Sequence, residues 1–209
     1  LDKTEFHIVG LDINENNPHF QTAMARMQQI REERNNQMVA RMQAAGVDIT
    51  LEKLHAKEGI GVLTRANFAG YLLSVGFVKS IKEAFDRYLG DGKPFYIPRT
   101  KTSPKEAIEL IKQADGIPVL AHPMLYKLGK NTLEKYVKMM TDWGLEAMEV
   151  YYSTNTPSDD LYLSHLANHY HLKYSGGSDF HGTYKPHIQI GTGKGRLVVP
   201  YDILEKLRA

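Results

Sequence analysis

The sequence predicts an α/β protein, a parallel barrel or open sheet, with a helical insertion. Three observations carry this. From Arg99 onward, short apolar runs alternate with amphipathic helices over brief links, the pattern of parallel α/β folds. Residues 19–100 keep helical spacing and show no strand pattern. Histidine and aspartate recur where strands should end: His122 in Leu120-Ala121-His122-Pro123, and Asp179 and His181 in Ser175-Gly176-Gly177-Ser178-Asp179-Phe180-His181-Gly182. In such folds the functional groups collect at the C-terminal ends of strands.

In chain order, residues 4–13 read as a strand, with His7 on the face opposite Phe6 and Ile8. Ala23, Met24, Met27, Ile30, Met38, Met42 and Ala45 then mark one long helix stopped by Gly46. Its other face carries Arg26, Arg31, Glu32, Glu33, Arg34 and Arg41, which solvent covers by default. Short helices follow over 50–58, 65–74 and 80–89, the last opened by a Ser80/Glu83 capping box. Ser103-Pro104-Lys105-Glu106 opens the next helix, and Ile117–Ala121 is a buried-type strand. A helix over 131–143, a strand over 147–152, a helix from Pro157 to about Tyr170 and a strand over 172–174 come next. Arg196–Val199 reads as a further strand before a terminal helix over 200–208. The expected division is 1–18 and 101–209 for the α/β body and 19–100 for the helical insertion.

With 209 residues and 42% hydrophobic content the chain can bury a domain-sized core. The net charge of +2 creates no general field for nucleic acid or membrane, so any phosphate site must be local. Without cysteine, disulfides and thiolate metal sites are excluded, and His, Asp and Glu remain as metal ligands. These suit Mn, Fe, Zn or Mg. No apolar run reaches membrane-spanning length. No signal peptide is visible, and a cytoplasmic location is expected.

Asp179 and His181, two residues apart after a strand, can aim a carboxylate and an imidazole into one space if the backbone stays extended. Arg65, Arg99 and Arg34, with Lys93 and Lys130 behind them, are candidates to clamp phosphate oxygens. His187 lies near enough in sequence to move a proton. Glu149, inside its strand, reads either as a carboxylate orienting a ligand or as an ion-pair partner. His19, His55, His165, His169 and His171 lack partner motifs and read as structural or surface residues.

The Ala121-His122-Pro123 and Gly177-Ser178-Asp179-Phe180-His181-Gly182 motifs, in this order, resemble the PHP (polymerase and histidinol phosphatase) family of metal-dependent phosphoesterases. Further support comes from Phe6-His7-Ile8-Val9-Gly10-Leu11, Arg34-Asn35, Glu83–Gly90 and Glu149–Ser153. The nearest subgroup removes phosphate from nucleoside 3′,5′-bisphosphates, 5′-phosphorylated nucleotides or short RNA. The resemblance implies a distorted (β/α)7 barrel, here a partial one, with two or three divalent ions at its rim, manganese first. It implies His7, His122, Asp179 and His181 as metal ligands, with Asp179 and His181 at the chemistry. It implies a phosphorylated nucleotide or short RNA as substrate, with no DNA-specific or membrane partner. The family's opening His-x-His strand, Asp-His turn and ligating Glu are expected upstream of Leu1. If those ligands are absent, a non-catalytic PHP-like binding module is the alternative. A C–N hydrolase of the amidohydrolase type would share barrel and metals, but no candidate for its carboxylated lysine stands at a strand end. Where the family shows Gly-Arg-Pro-His, this chain has Thr64-Arg65-Ala66-Asn67.

Overall fold

The computed structural model of the chain describes residues 4–58, 61–182 and 185–209. It divides into two compact units, residues 1–22 with 102–209, and residues 23–101.

The first unit is built on a four-stranded sheet of order β1-β2-β3-β4, with β1 Ile8–Leu11, β2 Ile117–Leu120, β3 Ala147–Tyr152 and β4 Lys173–Gly177. The expected parallel run holds for β2, β3 and β4. β1, which precedes that run, pairs antiparallel to β2 with Ile8 opposite Leu120. The described sheet is mixed and open. Parallel strands need a covering layer on each face, so they read as nearly continuous apolar runs. Leu120, Met148 and Val150 pack with Leu133, Val137 and Leu163, residues of α6 (Lys130–Asp142) and α7 (Pro157–His169). Val119 and Ala147 pack instead with Leu207 of α8 (Tyr201–Arg208).

The helices start where their caps place them. At α5 (Pro104–Gln113), Ser103 Oγ accepts the Glu106 N–H and Glu106 accepts the Ser103 N–H. At α7, Thr156 and Asp159 make the same exchange. Each such cap satisfies donors that the first helical turn leaves unpaired. The strand expected at 196–199 does not form. Gly191, Gly193 and Gly195 hold positive φ, which turns the chain, and Leu197 N–H bonds back to the Thr192 carbonyl at 3.2 Å.

The second unit is helical. It contains α1 from Ala23 onward (the helix is Pro18–Ala44), α2 (Leu51–Glu58), α3 (Arg65–Ser74) and α4 (Ile81–Ala84), which widens into a π turn over Phe85–Leu89. Met38, Met42, Leu54, Phe68, Leu72 and Leu89 form its core. The apolar stripe of α1 is therefore buried in its C-terminal half, whereas Met24 and Met27 stay 37% and 36% exposed. The Ser80/Glu83 box forms by half. Ser80 Oγ accepts the Glu83 N–H, but the Glu83 carboxylate takes the Lys79 N–H instead. Two arginines of α1 are not simply solvated: Arg34 Nε donates to the Ile97 carbonyl at 3.1 Å and Arg41 Nη1 to the Tyr96 carbonyl at 2.8 Å.

Candidate active site

The antiparallel β1 explains how an early histidine reaches the rim. The register carries on past β1, with Ala121 N–H bonded to the His7 carbonyl at 3.0 Å. The start of β1 thus lies beside the end of β2. His7 Nδ1 and His122 Nε2 come within 3.1 Å. His7, Val9, Ala121, His122, Glu149 and Asp179 line an open pocket of about 230 Å³. That is below the ~300–1,000 Å³ of pockets that enclose whole organic ligands. It suits a small group such as a phosphoryl, with the remainder of a substrate outside.

His122 is held in the left-handed region (φ 32, ψ 59), and Glu149 Oε2 accepts its backbone N–H at 2.6 Å. Burial, and then the neighbouring His7 charge, holds the His122 imidazole below its ordinary range. It is neutral near pH 7, the form that ligates metals. Among the described residues its Nδ1 is buried without a hydrogen-bond partner. Burial likewise raises the Glu149 carboxyl, opposed by the bond from His122 N–H.

Tyr126, in a 3₁₀ turn over Pro123–Tyr126, ties the same two strand ends together. Its hydroxyl accepts the His7 backbone N–H at 2.9 Å and donates to the Ala121 carbonyl at 2.8 Å. Phe6 packs edge-on to its ring at 4.8 Å.

Asp179 follows β4 in the left-handed region, φ 57. Strand alternation therefore does not relate it to His181 as expected, because the strand ends at Gly177 and the chain turns. His181 Nδ1 lies 2.6 Å from the Asp179 carbonyl and 3.5 Å from Asp179 Oδ1. A carbonyl only accepts, so Nδ1 carries a proton; in the neutral ring Nε2 then keeps its lone pair, the tautomer in which a second contact prepares a ligand. His181 does not line the pocket. Tyr152 Oη and Lys185 Nζ both donate to Asp179 Oδ2, at 2.8 and 2.7 Å. Burial pushes the Asp179 carboxyl up, but these two bonds outweigh it and hold it low. A bulge in β3 helps to bring Tyr152 there. Glu149 pairs with Ser175 but Tyr151 with Gly176, so Tyr152 pairs with Gly177, one residue short of an unbroken register.

His187 is exposed, on the turn that Ile188 N–H closes onto the Lys185 carbonyl. It does not line the pocket. Arg34, Arg65 and Arg99 belong to the second unit. There the Arg34 guanidinium is held below its ordinary range by burial first, then by the charges of Arg65 and Arg99. Arg65 pairs with Asp91 at 2.7 Å and lies over the Tyr96 ring. Asn67, in place of the family histidine, accepts the Thr64 N–H and hydroxyl and so starts α3.

The donor set fits a divalent ion as part of a ligand shell. It is imidazole and carboxylate only, and two nitrogens 3.1 Å apart have the spacing of neighbouring ligands whose bonds to a shared ion are about 2.1 Å. Among the described residues no group of three or more such side chains converges at ligand distance. Sequence reasoning named neither Tyr126, Tyr152 nor Lys185 in the Asp179 and His7 contacts. Lys185 could have been suspected from its place six residues after Asp179, and Tyr152 from its place in the Glu149–Ser153 stretch at a strand end, whereas Tyr126 carries no local signal.

The α/β sheet with imidazoles and carboxylates at one rim has solved relatives assigned as an amidohydrolase and as a metal-dependent phosphoesterase. A Bifidobacterium adolescentis protein assigned to that class superimposes with TM-score 0.73 at 26% identity, over 99% of this chain and 72% of that one. An amidohydrolase of Chromobacterium violaceum, with sulfate bound and no metal, gives 0.70 at 27% identity, over 100% and 72%. The sequence matches no protein-family model. It is 33% identical over 187 residues to 5′-3′ exoribonuclease Rnm of Escherichia coli, covering 90% of this chain and 64% of that protein. It is 31% identical over 176 residues to the 3′,5′-nucleoside bisphosphate phosphatase of C. violaceum, covering 84% and 62%. The chain is homologous to these proteins and spans just under two thirds of their length. No described helix is long and apolar enough to cross a membrane.

Proposed function

We propose that this chain is the larger part of a metal-dependent phosphoesterase. It would hydrolyse phosphate monoesters of nucleoside 3′,5′-bisphosphates, 5′-phosphorylated nucleotides or short RNA. The observation that carries the reading is the 3.1 Å meeting of His7 and His122 in one pocket with Asp179. The homologues' names and the sulfate bound to a structural neighbour support it, since sulfate shares the shape and charge of a phosphoryl group. His7, His122, Asp179 and His181 would hold divalent ions, manganese first, with the other ligands coming from outside the described residues. An ion bound there would acidify a water molecule and offset phosphate charge. We further place the sheet in a distorted (β/α)7 barrel, with residues 19–100 as its helical insertion.

The chain's own residues would divide the remaining work. The left-handed turn at His122 and the Tyr126 bridge hold the two imidazoles at one strand junction. Lys185 and Tyr152 keep Asp179 ionised. Arg34, Arg65 and Arg99 would bind phosphate oxygens of the substrate, and His187 would shuttle a proton. A cytoplasmic location would suit nucleotide and RNA substrates. The second reading, a non-catalytic binding module, draws on the absence of a three-residue metal cluster among the described residues.

The full natural protein, supplied with Mn²⁺, is to be assayed against a 3′,5′-bisphosphonucleotide, 5′-phosphorylated short RNA and histidinol phosphate. Phosphate release from either of the first two, abolished by chelator, is expected. No release from any substrate defeats the proposal in favour of the binding module.

A further inference from the structure

We propose that Glu149 is a positioning residue that holds the His122 backbone so that its ring meets His7. The inference rests on reading this rim as a phosphoesterase site. His122 needs such a hold. It is a non-glycine residue in the left-handed region (φ 32), where side chains are crowded. It also precedes Pro123, and a residue before proline favours extended backbone. Glu149, in the neighbouring strand β3, accepts the His122 N–H at 2.6 Å, and an ionised acceptor makes the stronger kind of hydrogen bond.

A second element is shaped around the same carboxylate. A Cβ at Gly177 of β4 would lie 2.5 Å from Glu149 Oε1. Gly177 has no positive φ, so its missing side chain provides room for the carboxylate rather than backbone freedom. Among the described residues Glu149 has no cationic partner, which removes the ion-pair alternative. Strand β3 thus sends a carboxylate under the turn after β2, and β4 leaves the space for it. With the His122 backbone fixed, Nε2 stands 3.1 Å from His7 Nδ1.

The test uses the full natural protein, isotope-labelled, with circular dichroism to confirm folding. The His122 amide proton should resonate far downfield. It should move upfield in Glu149→Ala, and part of the way in Glu149→Gln, which keeps a weaker acceptor. Gly177→Ala should shift the same resonance, because its methyl group displaces the flexible carboxylate end, and should add nothing in the Glu149→Ala background. Calorimetric Mn²⁺ affinity should fall about 10–100-fold in Glu149→Ala and by under about tenfold in Glu149→Gln. An unmoved His122 amide in folded Glu149→Ala overturns the proposal. So does a Gly177→Ala effect that persists undiminished without the carboxylate. If Glu149→Ala does not fold, Glu149→Gln and Gly177→Ala decide by the same resonance. Should these shifts occur while the wild type releases no phosphate, the positioning role stands and the phosphoesterase reading fails.

Discussion

Tyr126→Phe isolates the hydroxyl that joins the two histidine-bearing strand ends. The ring and its packing on Phe6 are kept. Two hydrogen bonds are lost, one from the His7 N–H and one to the carbonyl of buried Ala121. At about 1 kcal/mol each, the expected loss near pH 7 is about 2 kcal/mol. For a chain of this size that lowers Tm by about 4–8 °C. The pH dependence provides a second measure. Burial pushes the Tyr126 phenol up to about 12 from 10. Between those values the unfolded phenol has lost its proton and the folded one has not, so stability falls as pH rises. The contribution is complete below pH 10 and gone above pH 12, and two pKa units correspond to about 3 kcal/mol. Tyr152 is raised as well, but it is present in both proteins and cancels in the difference. Urea unfolding from pH 7 to 11.5 is the assay. A variant within about 0.5 kcal/mol of wild type, with the same alkaline slope, would show that the hydroxyl is hydrated and bridges nothing.

Three further outcomes are expected. Leu163→Ala, at a fully buried site of α7, should cost about 2–5 kcal/mol by urea unfolding. Asn67→Ala should cost about 1 kcal/mol and speed amide exchange in the first turn of α3, because the acceptor for the Thr64 N–H and hydroxyl is removed. Arg34→Ala should raise KM for a bisphosphonucleotide about tenfold with kcat little changed, the value of one charge-assisted hydrogen bond; a fall in kcat at constant KM would place Arg34 elsewhere in the mechanism.

Local signals in the sequence proved dependable where local energetics decide. Ser103-Pro104 and Thr156-Pro157 opened their helices as read, because a cap and its partner lie three residues apart. The strands over 117–120 and 147–152 formed where buried apolar runs placed them. The reading faltered where a local pattern met a turn. Arg196–Val199 has strand-forming residues, but the glycines before it bend the chain. Asp179 and His181 have strand spacing, but Asp179 lies past the strand end with φ 57.

The sequence alone was enough to supply the kinds of donor at the rim, imidazole and carboxylate without thiolate, and the strands they follow. Composition and short-range order settle both. Folding decided which donors meet. His7 reaches His122 across 115 positions only because β1 runs antiparallel to β2. Tyr126 reaches the His7 backbone across 119, and Glu149 and Tyr152 each act 27 positions away. Such partners depend on strand direction, register and one bulge. Those are set by burying both faces of the sheet at once, a property of the whole packed unit that no single stretch encodes.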